Sequence, residues 1–188
     1  PGGVCRVRGE AEVLRVVTDS RRAQRGDCFV AVRGTAADGH AYIPAAVANG
    51  CSAVVCQDAA GVPAGVACAV VGDTRAAAGP LAQAMLGWPS RRLTTVGVTG
   101  TNGKTTFTYL LRKVLESVGH KVALLGTISY ETIARSAPAT TTTPDAVELA
   151  EMMAGAAAAG ASHVVMEVSS HALHQRRVAG IDFRVGAF

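Results

Sequence analysis

The chain has 188 residues, 49% hydrophobic, 4% aromatic and 17% charged, with a net charge of +4 from 18 basic and 14 acidic side chains. That is enough for one or two domains with cores of small branched side chains, and fifteen of the basic residues are arginines scattered along the chain, which excludes a basic stripe interleaved with aromatics of the nucleic-acid-binding kind. No run reaches the roughly 18 apolar residues needed to cross a bilayer, and the opening PGGVCRVRGE lacks the apolar centre of a signal peptide.

In chain order, CFVAV (28–32), SAVVC (52–56) and VACAVV (66–71) read as short strands, with a helix at AYIPAAVANG stopped by Gly50. Cys5, Cys28, Cys51, Cys56 and Cys68 are odd in number and form no C-x-x-C pair, as expected of buried free thiols in a reducing cytoplasm. A helix from about Asp73 to Leu86 ends in the breakers Gly87 and Pro89, and GWPSRR marks a domain boundary near residue 90. LTTVGVTG then reads as a strand buried on both faces, followed by a glycine loop and an amphipathic helix from about Lys104 to Val118. KVALLGTI (121–128) is the next strand. PDAVELAEMMAGAAAAG (144–160) is a helix with proline in its first turn and glycine at its end. SHVVMEV (162–168) and FRVGAF (183–188) are further strands. The alternation predicts an α/β fold: a small α/β domain over residues 1–90, then a P-loop-type parallel-sheet domain over residues 91–188.

The stretch VTGTNGKTTF (98–107) carries chemistry. A Walker A loop reads G-x-x-x-x-G-K-[ST], which would place its first glycine at position 98, yet that residue is Val98. A strand, a glycine turn and a helix that opens on lysine nevertheless aim backbone N–H groups and a helix N-terminus at phosphate. Gly100, Thr101, Asn102 and Gly103 form the turn. Lys104 is placed to reach terminal phosphates and Thr105 to ligate Mg²⁺ through its hydroxyl, and Thr106 completes the ATP-binding set of residues 100–106.

GTNGKT resembles the shortened loop shared by the Mur ligases and folylpolyglutamate synthetases, which are ATP-dependent amide-forming enzymes. Residues 18–55 resemble the amino-terminal domain of UDP-N-acetylmuramoyl-peptide ligases. TTTTPD (140–145) and MEVSSHAL (166–173), followed by Gln175 and Arg177, resemble the central domain of the MurE type. Thr141 and Phe107 depart from the residues common in the family, without removing a group assigned a role.

The resemblance implies a cytoplasmic, monomeric bacterial ligase that takes ATP, Mg²⁺, UDP-MurNAc-L-Ala-D-Glu and a diamino acid, meso-diaminopimelate or L-lysine. Its carboxylate substrate would be phosphorylated to an acyl phosphate and then attacked by the amine. Lys104 would be the catalytic cation, and Thr105 and Glu167 would hold metal; without the resemblance, Glu167 reads first as a strand-end acid paired to an arginine. Thr18, Ser20, Thr35, Ala36 and Ala37 match positions that contact uridine diphosphate. Thr142, Thr143, Ser169, Gln175 and Arg177 match positions that hold the muramoyl peptide. His171 and His174 stay outside the metal set. The family continues past the position of Phe188 with a Thr-Asn-Leu segment, a carbamylated lysine and a carboxy-terminal domain, so this chain is expected to be incapable of turnover alone. Two alternatives stay open: a MurF or folylpolyglutamate synthetase type of ligase, and a non-catalytic nucleotide-binding module.

Overall fold

The computed structural model describes residues 4–34 and 37–188. Thr35 and Ala36 lie outside the described residues. The chain divides into two compact units, Pro1–Met85 and Leu86–Phe188.

In the first unit, strands β1 (Val4–Arg8), β2 (Arg15–Val17), β3 (Asp27–Val30), β4 (Ala53–Cys56) and β5 (Ala67–Val71) form one sheet in the order β1-β5-β4-β3-β2. β2 to β5 run parallel and β1 closes the edge antiparallel to β5. β3 and β4 are buried along their whole length, as expected of parallel strands covered on both faces. Phe29, Ile43, Val54 and Cys56 meet in the core. Helix α1 (Ile43–Ala48) takes Pro44 in its first turn, and α2 (Thr74–Met85) starts where the Asp73 carboxylate accepts from the N–H groups of Arg75 and Ala76. Cys28, Cys51, Cys56 and Cys68 are free and buried, and burial pushes the Cys28 thiol up to about 12.

The second unit holds β6 (Thr94–Val98), α3 (Lys104–Ser117), β7 (Val122–Leu125), β8 (Ser129–Glu131), β9 (Ser136–Pro138), α4 (Ala146–Ala158), β10 (His163–Glu167), α5 (Ser170–His174) and β11 (Phe183–Ala187). The sheet order is β11-β6-β10-β7-β8-β9. The first four strands are parallel, and a hairpin, β8–β9, adds two antiparallel strands to β7. Alternate strand residues serve opposite layers. Val96, Val98, Val122, Leu124 and Val165 pack beneath α3, whereas Ala123, Leu125, Val164 and Met166 pack against α4.

The expected proline in the first turn of the fourth helix is corrected. The Asp145 side chain accepts from the N–H groups of Val147 and Glu148 and caps α4, so Pro144 lies before the helix. The parallel-sheet expectation holds for four strands, to which the hairpin adds two antiparallel ones. SYE and SAP are three residues each and too short to show a two-residue alternation.

Candidate active site

The absent glycine at position 98 has a structural reason. Val98 is the last residue of β6, 4% exposed and packed in the core beneath α3, so the turn proper starts only at Thr99. Gly100 (φ 125°) and Gly103 (φ 79°) occupy left-handed backbone that a side chain would strain, and Gly103 caps α3 without a side chain of its own. Lys104 opens the helix and folds back, donating from Nζ to the Gly100 carbonyl at 2.7 Å. Thr101 and Asn102 are exposed at the tip of the turn, and Thr106 lies exposed in the first turn of α3.

The parallel register sets the next residue. Glu167 ends β10 directly beside Val98 of β6, at the carboxyl edge of the sheet, where open α/β sheets bind ligands. Its carboxylate is buried, with the residue 1% exposed. The Thr105 hydroxyl donates to it, 3.0 Å from both Oε1 and Oε2. From the β7–β8 turn, the Thr127 N–H donates to Oε1 at 3.0 Å and the Thr127 hydroxyl to Oε2 at 3.1 Å. Among the described residues its partners are therefore neutral donors, and the alternative of an arginine-paired acid is not what the structure shows. A buried carboxylate without a countercharge retains a strong demand for a cation. Gly126 makes room for it: a Cβ there would fall 2.4 Å from Glu167 Oε1.

The donor set fits a hard divalent cation such as Mg²⁺. A threonine hydroxyl and a carboxylate lie within 3.0 Å of one another, and both are oxygen ligands. Among the described residues no group of three or more His, Cys, Asp or Glu side chains could hold a metal. Two protein ligands suit Mg²⁺, which keeps waters and phosphate oxygens in its remaining positions.

The loop 140–143 joins the same edge. Thr127 Oγ1 and Thr142 Oγ1 lie 3.2 Å apart, and the Thr143 hydroxyl donates to the Glu167 carbonyl at 3.0 Å. Thr143 Oγ1 in turn accepts from the Ser169 N–H at 3.2 Å, and its carbonyl accepts from Arg177 at 2.7 Å. Arg177 also donates to Gln175 Oε1 at 2.9 Å, and Ser169 caps α5 through the Ala172 N–H. Thr105, Thr142, Thr143, Glu167, Ser169, Gln175 and Arg177 thus belong to one bonded network. His171 and His174 are exposed on α5. Gly126 and Thr127 were missed by sequence reasoning; a glycine–hydroxyl pair after an apolar strand is the signal that could have flagged them.

In the first unit, Ser20 is buried and opens a 3₁₀ turn after β2, capped by Asp19, whose carboxyl a hydrogen bond from the Arg21 side chain holds below its ordinary value. Asn49 donates to the Ser20 carbonyl at 3.0 Å. Thr18 is half-buried beside this turn, and Ala37 is exposed, its carbonyl accepting from the Gly34 N–H. Asp38 caps the following turn and holds His40, whose Nε2 accepts from the Gln57 N–H at 2.8 Å.

Fold and site together define an α/β protein with a glycine loop and a buried carboxylate at the carboxyl edge of a parallel-rich sheet, and comparison with known proteins narrows it. Residues 98–188 match the Mur ligase middle domain, and residues 12–85 match the Mur ligase family, catalytic domain. The chain belongs to the Mur ligase family. A UDP-N-acetylmuramoyl-L-alanyl-D-glutamate–2,6-diaminopimelate ligase of Geobacter metallireducens is 47% identical over 177 residues, 94% of this chain and 35% of the relative. A ligase of the same name from Parabacteroides distasonis is 44% identical over 178 residues, 94% of this chain and 37% of the relative. A solved structure of a ligase of that name matches with a TM-score of 0.76 at 28% identity, over 93% of this chain and 35% of that one. MurF from Acinetobacter baumannii matches with a TM-score of 0.56 at 27% identity, over 83% of this chain and 30% of that one. The chain therefore spans little more than a third of the length of the curated relatives it matches.

Proposed function

We propose that this chain carries the nucleotide- and UDP-sugar-binding parts of an ATP-dependent ligase that joins diaminopimelate to UDP-MurNAc-L-Ala-D-Glu in the cytoplasm, as a monomer, during peptidoglycan precursor synthesis. The observation that carries the reading is the buried Glu167 carboxylate, met by Thr105 at the head of α3 and by Thr127, with neutral donors only among the described residues. The relatives' names favour diaminopimelate over lysine, and the higher TM-score with the diaminopimelate ligase than with MurF favours this type of ligase over the MurF alternative.

The reaction brings a carboxylate and a triphosphate together, so repulsion between anions is its first obstacle. In this reading the N–H groups of the loop 100–103 and the amino end of α3 cradle the phosphates. Lys104 leaves the Gly100 carbonyl and turns its ammonium to the transferring phosphoryl group. Thr105 and Glu167 hold Mg²⁺, which when bound neutralises phosphate charge. Thr142, Thr143, Ser169, Gln175 and Arg177 hold the muramoyl-peptide end, where the arginine provides a fork for a carboxylate or phosphate. Thr18, Ser20 and Ala37, with Thr35 and Ala36, take the uridine diphosphate. The first unit is then the UDP-sugar domain and the second the ATP domain, while the amine site belongs to the rest of a longer enzyme.

Titration calorimetry beside an amide-formation assay tests this. The chain alone should bind UDP-MurNAc-L-Ala-D-Glu and a magnesium–nucleotide complex, and make no tripeptide product. Product formed by this chain alone would show that the catalytic parts are misplaced, and absence of any nucleotide binding would overturn the reading of the loop.

A further inference from the structure

Thr142 and Thr143 sit on a loop that has no regular secondary structure to hold it. Residues 139–145 connect β9 to α4, and a loop of this kind has backbone groups that need partners elsewhere. Thr143 is tied down by Arg177, Ser169 and the Glu167 carbonyl. Thr141, two residues earlier, is tied down by one side chain. The Tyr130 hydroxyl accepts from the Thr141 N–H at 3.0 Å, donates to the Thr141 carbonyl, and lies 3.2 Å from Thr141 Oγ1. Both backbone groups of Thr141 thus close on a single phenol, which replaces the ladder that a neighbouring strand would supply. Between these two anchors stands Thr142, its Oγ1 reached by Thr127.

Tyr130 is itself held firmly. Its ring is 5% exposed and packs with Leu125 and Val168 in the core against α4. It lies on β8 opposite Leu125 of β7, so its backbone follows the sheet. The hairpin is further clamped to α3, because Arg112 donates to Glu131, the Ser129 hydroxyl donates to Glu131 Oε1 at 2.8 Å, and Tyr109 meets Ser129 at 3.2 Å. A rigid path thus runs from the helix that opens on the phosphate loop, through the hairpin, to the loop that bears Thr142.

We infer that Tyr130 is a positioning residue for the sugar-peptide substrate: its hydroxyl sets the height of the loop 140–143, so that Thr142, between the buried Thr143 anchor and Thr141, faces the ligand. It touches no reacting atom. The inference rests on the proposed role of Thr142 as a substrate contact.

Tyr130→Phe removes one oxygen and leaves the ring in its core site, and the experiment has three arms on the full chain. Hydrogen exchange followed by mass spectrometry should show faster exchange in peptides spanning 139–144, with α4 unchanged. Calorimetry should show UDP-MurNAc-L-Ala-D-Glu binding weakened about five- to tenfold, the loss of an ordinary hydrogen bond or slightly more, with affinity for magnesium–nucleotide within twofold of the parent. Thr142→Val is the control for the underlying assignment. If Thr142→Val leaves substrate affinity unchanged, the substrate reading of this loop fails, and the inference about Tyr130 with it. If Thr142→Val weakens binding while Tyr130→Phe does not, Tyr130 is not the positioning group and the substrate reading stands. If Tyr130→Phe weakens substrate and nucleotide equally, or speeds exchange across α4 as well, its role is general support of the fold and the inference is overturned.

Discussion

The two units are both built on parallel-rich sheets but treat their buried acids differently. In the first, Asp27 is 3% exposed and closed by a countercharge: Arg15 forks onto it at 3.1 and 2.7 Å, and the Gln24 N–H adds a third bond. In the second, Glu167 is 1% exposed and closed, among the described residues, by two hydroxyls and an N–H. An acid with its own guanidinium is complete and holds structure together. An acid satisfied only by neutral donors keeps its charge available, and that difference separates a structural carboxylate from a candidate metal ligand.

The largest expected effect lies on the second side of this comparison. Lys104→Ala in the longer enzyme should cost ~3–4 kcal/mol of transition-state stabilisation, a few-hundred-fold or more in turnover, with substrate affinity largely kept. A phosphate-release assay that finds more than half the parent turnover would remove Lys104 from the catalytic machinery.

A matched pair of isosteric changes tests the comparison itself. Asp27→Asn removes the carboxylate charge that Arg15 meets and should destabilise the first unit by about 1–3 kcal/mol, leaving magnesium–nucleotide affinity unchanged. Glu167→Gln should do the reverse: magnesium-dependent nucleotide binding weakens at least about tenfold, while the melting temperature stays within a few degrees. Calorimetric melting and nucleotide titration on both variants give the answer, and equal loss of stability in the two would erase the distinction.

Ser20→Ala sharpens the assignment of the first unit. If its hydroxyl meets the uridine diphosphate, affinity for the UDP-sugar should fall by about 1 kcal/mol in a titration. Unchanged affinity would leave Ser20 as the start of a turn and nothing more.

The smallest effect concerns pH and falls far from the site. His163, at the opposite end of β10 from Glu167, stacks with His120 at 4.2 Å, and burial, then repulsion from His120, hold its imidazole below the ordinary value. The unfolded chain then takes up this proton more readily than the folded one. The contribution to stability is complete above the unfolded value of about 6.5 and declines as the pH falls through it. Melting of the parent between about pH 7 and pH 5 should therefore drop more steeply than that of His163→Gln, and parallel curves would show that the pair has no role in it. Glu131 and Glu116, held low first by hydrogen bonds from Arg112, act only in the more acidic carboxylate range and leave this window clear.

Much of this was present in local sequence. The helix at Lys104 could be read because Gly103 must supply left-handed backbone just where an apolar strand gives way to an amphipathic run. The buried strands β4 and β7 are unbroken apolar segments and β3, β6 and β10 carry apolar runs, since a strand covered on both faces has little polar side to show. The first and last residues of α4 were less legible, because Pro144 and Asp145 are both good starting residues and only the bonds from Val147 and Glu148 select the aspartate. The hairpin β8–β9, Thr127 and Tyr130 were decided by tertiary structure alone. Thr105 and Glu167 are 62 positions apart, Thr127 and Glu167 are 40 apart, and what joins them is the parallel register of β6, β10 and β7. A pattern of residues along the chain records which face a side chain occupies, but not which strand will lie beside it. The carboxylate that the sequence left as one acid among fourteen becomes a site only when that register brings three hydroxyl-bearing loops to the same edge of the sheet.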